Sequence, residues 1–303
     1  MTSLSRRQLA LLVAITVVWG FNWPVMKMGV TDYPAFSFRA LSIWVGLPIL
    51  AASLWALKMP FRMPRRHWPE LAVLSATNML VWHACIMLAI KTLSSGRTAI
   101  LGYTMPIFSA VIGALVFSVA LSRRGWVGVS AAALGVVFLL WHEATGMAGR
   151  PWGVLLALAA AATWALGTQL MRRTRIDVPT LTIAFWMTAI TAVAMTALAL
   201  AFDPGELHLP NGRASFAIAY NAVLIFGFAQ GAWFSLARAL PPAASTLSVM
   251  FIPVLGVFSG ALWLGEALHW QDWAAVALMT VAIGSVLWPA RKQAFPVAAL
   301  TPD

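Results

Sequence analysis

Apolar residues fill ten long runs of this chain, and polar residues are concentrated in the short segments between them. The first five runs are Leu9–Met26, Ala35–Leu57, Leu71–Ile90, Thr98–Ala120 and Trp126–Trp141. The second five are Trp152–Leu170, Leu181–Phe202, Phe216–Leu236, Ala243–Leu264 and Trp273–Trp288. About 20 apolar residues in helical form cross a bilayer core. Because lipid cannot satisfy unpaired backbone groups, each run is predicted to be a transmembrane helix.

The composition supports this prediction, since 61% of the 303 residues are hydrophobic and only 10% are charged. In soluble proteins about a quarter of the residues are charged, so lipid must be the solvent for most of this chain. We therefore expect an all-α integral membrane protein with no separate soluble domain. The single cysteine, Cys85, lies in an apolar run and excludes a disulfide framework. Neither a cofactor nor a metal site is predicted.

The net charge of +11 is explained by membrane topology rather than by a nucleic-acid partner. Of the Lys and Arg residues outside the spans, 14 fall on the side of the N-terminus and 5 on the other side. Positive residues accumulate in cytoplasmic loops. We therefore expect a multi-pass protein of the cell (inner) membrane with both termini in the cytoplasm.

The two groups of five runs can be aligned with each other, which indicates an internal duplication. A shift of 145 or 147 residues pairs Leu11 with Leu156, Trp19 with Trp164, Pro34 with Pro179, Pro106 with Pro253, Gly113 with Gly260 and Trp126 with Trp273. Five is an odd number, so the second repeat is predicted to be inverted relative to the first. The predicted organisation is an N-terminal repeat at 1–145, a C-terminal repeat at 146–292 and a flexible tail at 293–303. This design recurs among secondary transporters. The alternative is that the duplication serves only as a packing scaffold.

Three segments resemble the drug/metabolite transporter superfamily in its ten-helix EamA-domain branch. They are Trp19-Gly20, Lys91–Val111, and Ala237–Leu268, which ends in the Leu-Gly-Glu typical of the ninth helix of that family. The first repeat departs from the pattern, because Phe117-Ser118-Val119 stand where Leu264-Gly265-Glu266 stand in the second. The Trp-rich first span and the histidine of the third span resemble the corresponding features of YddG-type exporters. The resemblance implies a secondary transporter that exports aromatic and other neutral amino acids.

Polar and aromatic side chains within the spans are the candidate substrate-binding residues, since such groups are costly in lipid without a purpose. The candidates are Trp19, Asn22, Trp23, Asn78, Trp82, His83, Tyr103, Trp164, Gln230 and Ser248. Gln230 is aligned with His83 in the repeat, and Tyr103 and Ser248 precede the paired prolines. Amide and imidazole groups would bind the amino and carboxylate groups of an amino acid, and the rings would pack on its side chain. Alternatively, some of these tryptophans belong to the interfacial belt.

Pro106 and Pro253 are predicted to bend the fourth and ninth helices, and we expect these helices to act as gates. Gly113 and Gly260 follow them in small-xxx-small patterns, which permit close helix approach. Packing alone is the alternative role. Glu266 is expected to cap or pair structurally, whereas Arg39 is expected to snorkel to the membrane surface.

None of the nine acidic residues lies in the middle of a predicted span, so His83 is the only candidate proton carrier. We therefore expect facilitated exchange or weak proton coupling. The alternatives are a DMT-type exporter of another small metabolite or drug, and a membrane channel. An intramembrane enzyme is disfavoured because no nucleophile–base or metal-ligand pattern occurs. The transporter is expected to work as a monomer.

Overall fold

The computed structural model describes residues 6–118, 120, 123–145, 151–204, 208–230, 232 and 242–287. These residues form ten helices and no strand. The helices are α1 Arg6–Asp32, α2 Ala35–Ala56, α3 Arg65–Thr92, α4 Ser95–Phe117, α5 Arg123–Thr145, α6 Pro151–Met171, α7 Thr180–Phe202, α8 Gly212–Ala229, α9 Pro242–Leu264 and α10 Trp270–Leu287. Each helix coincides with one predicted span, so the all-α membrane fold is confirmed. The predicted tail at 293–303 lies outside the described residues.

Seven of the described helices are long and apolar enough to cross a membrane by length and composition, namely α1, α2, α3, α4, α6, α7 and α8. The helices α5, α9 and α10 complete the two sets of five. We call the face where α1 begins the terminal face, and the face where α1 ends the opposite face. An even number of spans brings α10 back to the terminal face.

The helices of the two halves interlock, and the most extensive helix pairs all join one half to the other. Three pairs join aligned helices, namely α2–α7, α4–α9 and α5–α10. The other pairs come in equivalent sets, since α1–α9 matches α6–α4, α3–α6 matches α8–α1, and α2–α8 matches α7–α3. Exchanging the halves therefore reproduces the packing. This is the pseudo-two-fold symmetry of an inverted repeat.

Backbone irregularities are also repeated in the two halves. A wide π-helical segment begins at Ala76 in α3 and another at Asn221 in α8, which is a separation of 145 residues. The left-handed residues Ser118 (φ 54°) and Gly265 (φ 65°) follow α4 and α9 at a separation of 147. Segments of π-helix commonly occur at functional sites. The duplication therefore extends to these two kinds of interruption of the regular helix.

Carboxylates join the helices at the opposite face. Asp272 at the start of α10 accepts from Nε and Nη2 of Arg97, at 2.7 and 3.2 Å. Glu266 accepts from the backbone N–H and the hydroxyl of Ser95, at 2.7 and 2.8 Å, and so caps the N-terminus of α4 as expected. Asp203 likewise accepts from both groups of Ser37 at 2.8 Å. These contacts close the opposite face.

At the terminal face, the first turn of α3 contacts the turn before α7. Asp177 lies 2.9 Å from Nε2 of His67 and 2.8 Å from Nη2 of Arg66. Chiefly because of the hydrogen bond to His67, the pKa of the exposed Asp177 carboxyl is lowered from its ordinary value. A lowered pKa means that this contact stabilises the fold above the ordinary carboxyl range and is lost as the pH falls below it.

The buried pair of Arg97 and Asp272 predicts how the opposite face responds to mutation. Asp272→Asn should lower the melting temperature in detergent, because it leaves the guanidinium buried with a neutral partner. Breaking such a pair costs about 3–5 kcal/mol in soluble proteins. The double variant Arg97→Met/Asp272→Met should recover most of the loss, since it leaves no charge unpaired. A double variant less stable than Asp272→Asn would contradict this prediction.

Candidate functional site

Two of the tryptophans predicted to bind substrate contact each other where α3 crosses α6. The rings of Trp82 and Trp164 contact edge to face with centroids 5.4 Å apart, and both residues are half-buried. The imidazole of His83 lies 4.9 Å from the ring of Trp82, and His83 is buried. Trp82 and His83 are neighbours in the first repeat, and the structure brings Trp164 of the second repeat against Trp82.

Close approach of α3 and α6 depends on the missing side chain of Gly167. A Cβ on this residue would lie 2.6 Å from Cγ of Asn78, far inside van der Waals contact. Asn78 is buried in the π-helical segment of α3, and its Nδ2 donates to the carbonyl of Leu74 at 3.2 Å. The predicted residue Asn78 therefore packs between α3 and α6.

A second aromatic contact joins α1 to α4 and α9. Trp23 is buried, and its ring centroid lies 6.2 Å from that of the half-buried Tyr103. Gly102 and Gly256 both face the Trp23 ring, where a Cβ would lie about 3 Å from it (2.9 and 3.1 Å). Trp19 is half-buried against the same hydrophobic core. The aromatic residues of α1 thus lie where two helices of different repeats converge.

Several buried polar atoms in this region have no hydrogen-bond partner within the described structure. They are Oδ1 of Asn22, Nε1 of Trp82 and both ring nitrogens of His83. An unsatisfied buried polar atom costs about 1–3 kcal/mol, so a cluster of them requires an explanation. A bound polar ligand would supply the missing hydrogen bonds.

Arg39 does not snorkel, and that prediction was wrong. Its side chain is fully buried, with 1% exposure, and it points into the bundle rather than to the membrane surface. Nη1 donates to Oδ1 of Asn221 at 3.1 Å, and Nη2 lies 2.8 Å from the sulfur of Met26 and 3.5 Å from that of Met87. Nε is another buried atom without a partner.

We call Asn22, Arg39, Trp82 and His83 the polar cluster. His83 lies nine residues before the end of α3 and Asn22 ten before the end of α1, which places both about 14 Å deep at a helical rise of ~1.5 Å per residue. That depth is near the middle of a bilayer core about 30 Å thick. Secondary transporters bind their substrates at this level.

The remaining predicted residues have varied surroundings. Gln230 is half-buried directly after the π-helical segment of α8, and the unpartnered nitrogens of His83 show that the two residues are not hydrogen-bonded. Ser248 lies in the α9 backbone, and its side chain is outside the described structure.

The two paired prolines have different effects on their helices. Pro106 follows a turn at Tyr103–Thr104, so it begins a new helical segment rather than bending a continuous one. Pro253 lies within the uninterrupted α9. Gly113 and Gly260 are both buried, and Gly260 faces the hydroxyl of Ser95 and the carboxylate of Glu266. The gating roles of these four residues stay predictions.

Comparisons with known proteins agree with this architecture. Residues 7–141 and residues 151–288 each match the EamA-like transporter family. The chain is 27% identical to "Uncharacterized inner membrane transporter YedA" of Escherichia coli over 94% of both chains. It is 24% identical to "Probable amino-acid metabolite efflux pump" of Salmonella typhimurium, over 92% of this chain and 94% of that one. One crystal structure, 20% identical, superposes with a TM-score of 0.68 over 95% of this chain and 100% of that chain, which shows the fold alone.

The packing at Gly167 generates a stability prediction. Gly167→Ala should force Asn78 and α3 away from α6, and overpacking of this kind costs about 1–3 kcal/mol. Thermal unfolding of purified protein in detergent, followed by tryptophan fluorescence, measures the effect. Gly212→Ala is the matched control, because no atom lies within 4 Å of a Cβ added there. Equal melting temperatures for the two variants would show that the close approach is not needed.

Proposed function

The chain belongs to the EamA-like transporter family, and we propose that this transporter exports neutral and aromatic amino acids by alternating access through a cavity between its two halves. Membership is carried by the two matched segments, which together span nearly all of the chain. Transport is the shared activity of the family. The cargo and the direction are the parts that we propose.

The observation that carries the proposal is the set of unpartnered polar atoms beside Trp82 and Trp164 at mid-membrane depth. Indole N–H groups only donate, amide oxygens only accept, and a neutral imidazole does both. The cluster therefore offers donors to a carboxylate and acceptors to an ammonium group within a small region. An α-amino acid carries both groups at one end. Its side chain would pack on the aromatic rings, which favour large apolar or aromatic groups.

The names of the relatives support the same class of cargo. The proteins of Salmonella typhimurium and Escherichia coli that are called probable amino-acid metabolite efflux pumps match 92% and 91% of this chain. Efflux of amino-acid metabolites is therefore the most specific activity that the names of these relatives give.

Burial along α4 supports loading from the terminal face. All residues of the segment Ser95–Gly102 near the opposite face are buried. Residues 108–112 near the terminal face are all half-buried. A closed opposite face and a looser terminal face are the features of a transporter open to one side. By the positive-inside rule, the terminal face would lie in the cytoplasm. With the protein in the inner membrane, the cargo would then enter from the cytoplasm.

The energy source follows from the acidic residues. Within the described structure, the carboxylates lie at the helix ends or in the turns, and none belongs to the polar cluster. A strongly proton-driven exporter normally uses a buried carboxylate. We therefore propose exchange, or downhill export with weak proton coupling.

Counterflow in proteoliposomes tests the proposal. Unlabelled amino acid inside the vesicles should stimulate uptake of labelled phenylalanine in a saturable manner. Trp164→Ala should lower this uptake about tenfold, since a lost aromatic contact of ~1.4 kcal/mol corresponds to that factor. Trp55→Ala is the control, because Trp55 is 77% exposed on α2. Linear, unstimulated flux would indicate a channel instead, and saturable flux of only another metabolite would refute amino-acid cargo.

A further inference from the structure

We propose that Arg39 is the binding residue for the carboxylate of the cargo, so that the transporter selects molecules with a free carboxylate. This inference rests on the proposed function and adds a residue and a selection rule to it. The sequence pattern had given Arg39 no role in binding. Three observations place the guanidinium group at the substrate.

The first observation is that Arg39 has no counter-ion within the described structure. Its interactions are those with Asn221, two methionine sulfurs and the rings of Phe38 and Phe226. The described carboxylates that could neutralise it already have other partners: Asp32 has Arg213, Glu70 has Thr174, Asp177 has His67, Asp203 has Ser37, Glu266 has Ser95 and Asp272 has Arg97. An unpaired charge within a membrane bundle is costly and typically marks the path of a substrate or ion.

The second observation is that one edge of the guanidinium lacks a strong hydrogen-bond acceptor. Asn221 occupies Nη1, whereas Nε has no partner and Nη2 contacts only the thioethers of Met26 and Met87. Thioether sulfur is a weak acceptor. Nε and Nη2 form the edge of a guanidinium that binds a carboxylate with two parallel hydrogen bonds. That edge is thus free of any strong acceptor.

The third observation is the position of this edge relative to the rest of the polar cluster, about one helical turn nearer the opposite face. Met26 and Met87 lie one helical turn from Asn22 and His83, on the same faces of α1 and α3. The ring of Phe226 connects the two levels, since it lies 5.7 Å from Cζ of Arg39 and 5.7 Å from the imidazole of His83. A carboxylate at Arg39 would therefore lie about one helical turn of α1 from the level of Asn22.

The two methionines explain how the cargo reaches a group that is now fully buried. Methionine side chains are unbranched and change rotamer easily, so they can give way to a ligand without movement of the backbone. The entering carboxylate exchanges two weak N–H···S contacts for charge-assisted hydrogen bonds, which are the stronger kind. The two sulfurs therefore keep the charge of Arg39 shielded until an anionic group replaces them.

The test compares phenylalanine with phenylalaninamide, which has the same ring and amino group but no carboxylate. Binding of each compound is measured from the ligand-induced rise in melting temperature of purified protein. Wild type should bind phenylalanine at least tenfold more tightly than the amide. In Arg39→Gln the affinity for phenylalanine should fall at least tenfold while that for the amide stays the same, so that the preference disappears. Arg39→Lys should keep part of it, because a lysine retains the charge without the two-pronged geometry.

Lys91→Met is the matched control, since it removes a positive charge from the same end of the bundle at an exposed position. Its preference for phenylalanine should equal that of wild type. If Arg39→Gln keeps the wild-type preference, the assignment of Arg39 is wrong while amino-acid transport stands. If wild type binds both compounds equally, the assignment is wrong irrespective of whether any variant folds. If wild type binds neither compound, the proposed function fails together with the assignment.

Discussion

A bilayer provides no water to its interior, so every polar group within a span must find a partner inside the protein. Most of the described hydroxyls meet this demand locally. Thr16, Ser42, Ser75 and Thr188, for example, each donate to the carbonyl four residues earlier in their own helix. Groups at the helix ends meet it through capping carboxylates, as Ser95 does with Glu266. Against this background, the described buried polar atoms without a hydrogen-bond partner are few. Two lie at helix ends, in Asp32 and Gln271, and the others belong to Asn22, Arg39, Trp82 and His83 inside the bundle.

The interlocking of the two halves determines where that region lies. Because the extensive helix contacts cross between the repeats, neither half could enclose a site by itself. Trp82 comes from one repeat and Trp164 from the other, and Arg39 reaches Asn221 across the same boundary. Relative movement of the halves would therefore alter these contacts directly. Alternating access needs such a site, one that changes its surroundings when the two repeats rearrange.

The spans and the inverted repeat could be predicted from the sequence because they depend on hydrophobicity and spacing, which the residues themselves display. The role of Arg39 could not be predicted in this way. Its position five residues into α2 suggests snorkelling, and only the packing of α1, α3 and α8 around it shows that its guanidinium turns inward. Its partner Asn221 was overlooked although an asparagine within an apolar span is a signal of its own.

The prolines show that the sequence pattern also does not determine where the backbone of a helix breaks. Pro106 and Pro253 are aligned and belong to similar sequences, yet one follows a break and the other lies in a continuous helix. The difference arises at Tyr103–Thr104, where a turn interrupts the helix and the hydroxyl of Thr104 donates to the carbonyl of Leu101 at 2.6 Å. Helix breaks depend on such local alternatives for the backbone, which a proline alone does not specify.

The contacts of Ser95 with Glu266 and of Arg97 with Asp272 at the opposite face are not repeated at the terminal face. The four residues Ser95, Arg97, Glu266 and Asp272 correspond, by the shift of 147, to Pro242, Ala244, Val119 and Gly125. None of the latter has a polar side chain, and the proline lacks even a backbone N–H. The aligned positions at the terminal face therefore offer no side chain for an ion pair or a helix cap of this kind, and that face is joined instead by Asp177 with Arg66 and His67. The architecture is two-fold symmetric, but different contacts join the helices at its two faces, so the symmetry of the repeats does not make the opening of the two faces equivalent.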